Sequence, residues 1–107
     1  MINKKDIQKL IDGHTRAFTI EHICQELAEL TVAVSKYEIK REELLSKGMD
    51  PDTIRGLCEY EIACIAEELA DVEIMLPMAR EVYQISDKYC EYVVSEKMKE
   101  NLQRVNA

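Results

Sequence analysis

Apolar residues recur along the chain at intervals of three and four, which is the period of an amphipathic α-helix. Two such series are long. The first consists of Ile20, Ile23, Leu27, Leu30 and Val34. The second consists of Ile54, Leu57 or Cys58, Ile62, Ile65, Leu69, Val72 and Leu76. We therefore predict two long helices that pack together through the stripes centred on Leu27 and Leu69.

Capping residues indicate where these helices begin and end. Thr15 or Thr19 is the expected N-cap of the first long helix, and Lys47-Gly48 ends it. Asp50-Pro51 begins the second, because an Asp cap and a proline at the first helical position are both typical of a helix start. Gly56 is the point at which a short opening turn would separate from this helix.

Two shorter helices flank the long pair. The first covers Asn3 to Ile11 and ends at Asp12-Gly13, and the last covers Asp87 to about Arg104 with Ser86 as its cap. Pro77 lies inside the second long helix. It should kink that helix, because proline removes one backbone hydrogen bond and crowds the preceding turn.

The length and the pattern together define the fold class. A chain of 107 residues fits one domain over residues 1–107, and signals for strands and hairpins are scarce. We therefore predict an all-α helical bundle of about four helices per chain. A domain of this size buries a modest core, and its apolar stripes extend beyond a narrow seam. We expect homodimerisation, or a higher homo-oligomer, to complete a four-helix core.

Charge and cysteine content exclude several classes of partner. A net charge of −7 argues against DNA or RNA, which require a basic surface. The cysteines at positions 24, 58, 64 and 90 have no zinc spacing and are expected to be buried, reduced thiols. No segment resembles a signal peptide or a membrane span. We therefore expect a cytoplasmic protein with no membrane partner.

The candidate chemistry lies in a six-residue pattern that occurs twice, as QELAEL at 25–30 and EELADV at 67–72. Its acids are Glu26, Glu29, Glu68 and Asp71. Acids three residues apart share one side of a helix, so two packed helices would direct these four carboxylates at one another. Because like charges raise each other's pKa, we predict a bound cation. Oxygen donors without His or Cys at matching spacing favour Mg²⁺ or Mn²⁺.

The acids have two other interpretations. Acids at this spacing are common on solvated helix faces, and they would then be surface charge on a non-catalytic interaction protein. Ala33, Cys64 and Met75 on the acidic sides favour a half-buried location instead. A di-iron carboxylate bundle expects Glu-x-x-His pairs, and neither His14 nor His22 follows a Glu by three residues.

The two acidic segments resemble those of the MazG-like all-α nucleoside triphosphate pyrophosphohydrolases, a family that includes dimeric dUTPases and dCTP pyrophosphatases. The family pattern is EExxE, a spacer and then ExxD. Here it corresponds to QELAEL with a downstream SKY at 35–37, followed by EELADVEIML at 67–76. The resemblance covers residues 18–107 and is closest to the small single-domain, phage-type members.

This resemblance implies roles for individual residues. It implies that Mg²⁺ is held by Glu26, Glu29, Glu68 and Asp71. It implies phosphate binding by Lys36, two turns beyond Glu29, and by Lys97 in EKMKENL, where Asn101 takes a position that is Arg in some members. The chain departs from the pattern at Gln25, which replaces the first acid of EExxE. His22, one turn before Glu26, is a candidate contact for a base or a carboxylate.

The implied function is Mg²⁺-dependent hydrolysis of a (d)NTP to the (d)NMP and pyrophosphate, which removes unwanted nucleotides from the cellular pool. Metal ions supply the charge neutralisation and the aligned water that this hydrolysis requires. The resemblance also implies a substrate pocket between protomers, with Lys97 serving a neighbour's acids. Gln25 keeps an alternative open, a catalytically weak or inactive family member that acts as an interaction or structural protein.

Overall fold

The computed structural model describes residues 2–106, and the regular secondary structure within them is entirely helical. The helices are α1 Lys4–Asp12, α2 Arg16–Ser46, α3 Pro51–Leu57, α4 Glu59–Val82 and α5 Asp87–Asn106. The all-α prediction is confirmed, with one helix more than the expected four because the chain breaks at Cys58. None of the helices in residues 2–106 is long and apolar enough to cross a membrane.

Side-chain caps fix three helix starts where the sequence indicated them. Each cap oxygen accepts a hydrogen bond from a backbone N–H of the first turn: Thr15 from Phe18 at 3.1 Å, Asp50 from Thr53 at 2.9 Å, and Ser86 from Tyr89 at 3.1 Å. Such bonds satisfy N–H groups that have no partner inside the helix. Gly48, with a φ of 84°, follows α2 in the left-handed conformation that glycine adopts without steric cost. Helix α4 does not end at Pro77, which lies inside it.

Helices α2 and α4 pack side by side and antiparallel, and this pair is the centre of the fold. Lys40, near the end of α2, pairs with Glu61 in the first turn of α4, whereas Thr19, near the start of α2, lies with Met75 and Met78. Helix α1 packs against the C-terminal half of α4. Helix α3 packs against α2 and against α4 at the N-terminal end of α4. The buried apolar residues are Ile7, Ile23, Ala33, Ile54, Cys58, Met75 and Met78.

The leucines predicted to form the helix contact lie outside it, so that prediction was wrong. Leu27 and Leu69 are 48% and 47% exposed, whereas Glu26 is 7% exposed. Each residue turns an α-helix by about 100°. Packing through the side of α2 that carries Glu26 and Ala33 therefore turns Leu27 to the flank of the pair. Cys24 is also exposed, which corrects the expectation that its thiol is buried.

Helix α5 extends the molecule beyond a compact shape. The Cα radius of gyration of residues 2–106 is 18.0 Å, compared with about 13 Å for a compact domain of this length. Helix α5 has no buried residue, and its start is held to α1 by a 2.7 Å ion pair between Lys4 Nζ and Asp87 Oδ2. Its exposed large apolar residues are Tyr89, Tyr92, Val94, Met98, Leu102 and Val105. One copy of the chain thus leaves much of its apolar surface uncovered.

Lys40 joins α2 to the α3–α4 junction, and we predict that Lys40→Ala destabilises the fold. Its ammonium pairs with Glu61 and donates a hydrogen bond to the Leu57 carbonyl at 3.0 Å. The Glu61 side chain is 14% exposed, so loss of its partner leaves a carboxylate largely removed from water. Thermal unfolding followed by circular dichroism should show a decrease in Tm of about 4 °C or more.

The matched control for this variant is Lys36→Ala, one turn earlier on the same helix. Within residues 2–106, no carboxylate lies within ion-pair distance of Lys36. Its removal should leave Tm unchanged. Equal Tm values for the two variants would mean that the Lys40 contacts do not stabilise the junction.

Candidate metal centre

Four carboxylates meet between α2 and α4, and one oxygen of each lies within 4.8 Å of the other three. They belong to Glu26, Glu29, Glu68 and Asp71. The three-residue spacing places each pair on one side of its helix. The antiparallel packing then brings Glu26 against Asp71 and Glu29 against Glu68. The expected convergence of the carboxylates is therefore observed, although the helices pack through a different face from the one predicted.

Two of the carboxylate oxygens are buried without a partner. Glu26 Oε2 and Glu68 Oε2 are removed from solvent and accept no hydrogen bond from any group in residues 2–106. A buried acceptor left unsatisfied is unfavourable, and such groups are rare in folded proteins. A cation between the helices would satisfy both oxygens. The donor set consists only of carboxylate oxygens, which fits Mg²⁺ or Mn²⁺ and does not fit a metal that prefers sulfur or imidazole.

The electrostatics of the cluster oppose full ionisation. Burial raises the pKa of Glu26, and the neighbouring charges of Asp71 and Glu29 raise it further. Burial also raises the pKa of Glu68, with Glu29 and Asp71 as the next causes. Since metal binding requires ionised carboxylates, protons and a metal ion compete for the same oxygens.

His22 is a basic group in contact with the cluster. Its Nε2 lies 3.5 Å from Glu26 Oε1, and its side chain is 42% exposed. Only the protonated imidazole forms an ion pair with this carboxylate. The predicted contact of His22 with a carboxylate is therefore observed, and its contact with a base stays a prediction.

Two cavities lie along α2 and α4, one on each side of the acids. The first has a volume of about 490 Å³ and is lined by Gln25, Glu29 and Glu68 together with Lys36. The second has a volume of about 320 Å³ and is lined by Asp71 and His22, with apolar residues around them. The acids therefore form the middle of one groove, and Lys36 faces the same space as two of them.

Two predicted site residues do not reach the cluster within one chain. Lys97 and Asn101 lie on the exposed side of α5, and Lys97 Nζ is 3.6 Å from Glu100 Oε2. Neither lines a cavity beside the acids. Their predicted role requires the α5 helix of a second copy.

The sequence missed groups that also line the groove. Tyr60 lines the first cavity, and the rings of His14 and Phe18 line the second. Phe18 precedes His22 by four residues and His14 precedes Phe18 by four, a spacing that places the three rings on one side of the chain. The four-residue spacing in the sequence could have identified these rings as neighbours. The sequence around Tyr60 does not indicate that it lines the groove, because its position depends on how α4 packs against α2.

Comparison of the chain with protein-family models, with curated proteins and with solved structures finds no match. Membership of a family therefore remains a prediction that depends on the two acidic segments.

We predict that Glu26→Gln stabilises the metal-free protein at neutral pH. A carboxyl whose pKa is higher in the folded than in the unfolded state contributes stability at low pH, and this contribution is lost as the pH rises through the folded-state pKa. Tm in the presence of EDTA should therefore be higher for the variant than for the wild type at pH 7.5. The difference should shrink as the pH approaches 4.

The comparison at equal pH removes the opposite effects of Asp50, Glu61 and Asp87, whose pKa values are lowered by hydrogen bonds and an ion pair. Glu38→Gln, at an exposed position of α2, is the matched control and should leave Tm unchanged. Millimolar Mg²⁺ should raise the Tm of the wild type but not that of Glu26→Gln. A variant less stable than the wild type at pH 7.5 would contradict the assigned repulsion.

Proposed function

We propose that the protein is an Mg²⁺-dependent nucleoside triphosphate pyrophosphohydrolase that converts a (d)NTP to the (d)NMP and pyrophosphate. The observation that carries the proposal is the convergence of four carboxylates, two of which have a buried oxygen without a hydrogen-bond partner. The resemblance of QELAEL and EELADVEIML to the MazG-like family supports the same function. It also supplies the choice of bond, between the α-phosphorus and the α,β-bridging oxygen.

The proposed reaction divides the work among these residues. When bound, Mg²⁺ supplies charge neutralisation at the phosphate oxygens and lowers the pKa of a coordinated water. Glu26, Glu29, Glu68 and Asp71 would hold the metal, and one of the four would accept the proton of the attacking water. Oxygen from that water bonds to the α-phosphorus as the bond to the bridging oxygen breaks, and pyrophosphate leaves. Lys36, in the adjoining cavity, binds phosphate oxygens.

Gln25 supports the second candidate function, an inactive helical protein that interacts with other proteins. It lines the cavity beside Glu29 at the position where the resembled family carries an acid. An amide is a weaker metal ligand than a carboxylate and cannot accept a proton from water. The exposed apolar residues of α5 are also compatible with an interaction role.

An assay of pyrophosphate release separates the two functions. With a mixture of dNTPs and Mg²⁺, the wild type should release pyrophosphate, and Glu68→Gln or Asp71→Asn should reduce kcat/KM by about a hundredfold or more, because metal ions contribute several kcal/mol to such reactions. Both variants should retain the helical circular dichroism spectrum of the wild type. Unchanged activity in both variants would remove these acids from the site.

Gln25→Glu completes this series. If the amide only weakens a metal or water contact, the restored acid should preserve or raise kcat. No release of pyrophosphate by the wild type or by Gln25→Glu, in the presence of Mg²⁺ or Mn²⁺, would favour the interaction protein.

We further propose that the working unit is a homodimer or a higher homo-oligomer. Leu27 and Val34 on α2, and Leu69 and Leu76 on α4, are 40–48% exposed and form what we term the leucine flank. Residues seven apart lie on one side of a helix. Leu27 follows Glu26 by one residue, and Leu69 follows Glu68 by one residue. In an antiparallel pair of helices, the apolar residues of α2 and those of α4 therefore turn to the same side. A second copy packed on the leucine flank would bury it in a four-helix core.

Sedimentation at micromolar concentration tests the oligomer. The wild type should sediment with at least twice the chain mass of 12.4 kDa, and the double variant Leu27→Glu/Leu69→Glu should sediment as a monomer, because it places charge in the contact. Ile39→Glu is the matched control, since Ile39 is 69% exposed on α2 but points away from the leucine flank. A wild type that is active and monomeric would exclude the oligomer.

A further inference from the structure

The cavity of about 320 Å³ differs from its neighbour in the chemistry of its lining. It is lined by Leu10, His14, Phe18, Thr19, His22, Asp71, Ile74, Met75 and Met78. These residues include no Lys or Arg, whereas Lys36 lines the cavity on the other side of the acids. The groove therefore offers three rings and two thioether groups at one end, carboxylates in the middle, and the Lys36 ammonium with the single Tyr60 ring at the other end.

Three rings are arranged along this cavity. The rings of His14 and Phe18 stack with their centroids 4.3 Å apart. The rings of Phe18 and His22 are nearly parallel, with an interplanar angle of 11°, but their centroids are 6.2 Å apart. Phe18 is 49% exposed, so a flat partner can reach its ring. The wider spacing on the His22 side leaves that face of Phe18 without the close stacking that His14 provides on the other.

We propose that this ring-lined cavity is the nucleobase subsite, and that a nucleoside triphosphate lies along the groove with its base against Phe18 and its terminal phosphates toward Lys36. The inference rests on the proposed function and assigns the direction of the substrate. Aromatic rings and the Met75 and Met78 thioethers suit an uncharged flat ring. The ammonium of Lys36 suits phosphate oxygens, which the ring-lined cavity has no Lys or Arg to bind.

The spacing along α2 agrees with this direction. Phe18 precedes Glu26 by eight residues, which is about 12 Å along a helix. Lys36 follows Glu29 by seven residues, or about 10 Å. His22 is the ring nearest to the acids and contacts Glu26, so the base subsite is continuous with the carboxylates. A base at Phe18 therefore leaves the sugar beside His22 and the phosphates over the carboxylates.

Calorimetric binding tests the direction without requiring turnover. The probes are the α,β-methylene analogues of the four dNTPs and inorganic tripolyphosphate, each with Mg²⁺. Phe18→Ala should weaken binding of the best analogue about tenfold, the loss typical of one base–aromatic stack, and should leave tripolyphosphate binding unchanged. Lys36→Ala should weaken both probes. His14→Ala should follow Phe18→Ala, and Ile39→Ala, outside the groove, should change neither.

The two histidines give a second measurement, because they are the only histidines in the sequence and both line this cavity. Their imidazole NMR signals, assigned from the His14→Ala variant, should both shift with an analogue. Tripolyphosphate should leave the His14 signal in place. Shifts of His14 by both probes alike would contradict a base-specific subsite.

The possible failures can be told apart. Selective loss of analogue binding in Tyr60→Ala instead of Phe18→Ala would place the base in the other cavity and reverse the direction. Equal loss of both probes in Phe18→Ala would overturn the subsite. Failure of the wild type to bind either probe would overturn the proposed function and the subsite together. Tight, Phe18-dependent analogue binding without hydrolysis of dNTPs would retain the subsite and reject the enzyme.

Discussion

The packing of α2 against α4, on which the rest of the structure depends, holds an unfavourable contact in place. Four carboxylates lie between α2 and α4, where burial and mutual repulsion oppose their ionisation. Ile23, Ala33 and Met75 are buried on the same faces and hold the two helices together. A folded protein keeps groups that reduce its stability where those groups serve a function. The position of Glu26 in the contact, in place of an apolar residue, therefore supports the proposed metal site.

The same packing creates a groove whose chemistry changes along its length. The rings of Phe18 and His22 precede Glu26 on α2, and Lys36 follows Glu29. On α4 the order is reversed, because the helices are antiparallel. A linear ligand with an aromatic end and an anionic end thus meets a site with one preferred direction. The leucine flank turns to the other side of the helix pair, so the proposed association through it would leave the groove open.

Local features of the fold could be predicted from sequence, and features that depend on long-range packing could not. The caps at Thr15, Asp50 and Ser86 were predictable because each acts within four residues. The convergence of the acids followed from their spacing on each helix. The contact face did not, because the apolar series around Leu27 is wider than one helix contact. The partner of Lys40 lies 21 residues away, and no local pattern identifies it.

The break between α3 and α4 has a further consequence for measurement. Cys58 stands at this break and is fully buried, whereas Cys24 is exposed. A thiol reagent therefore reaches Cys24 in the native protein, but reaches Cys58 only during excursions that separate α3 from the helix pair. When opening equilibrates faster than labelling, the ratio of the two labelling rates, corrected for the intrinsic reactivity of each thiol in the unfolded chain, gives the free energy of that excursion. The labelling of Cys58 thus reports local opening, and the labelling of Cys24 provides the reference rate in the same molecule.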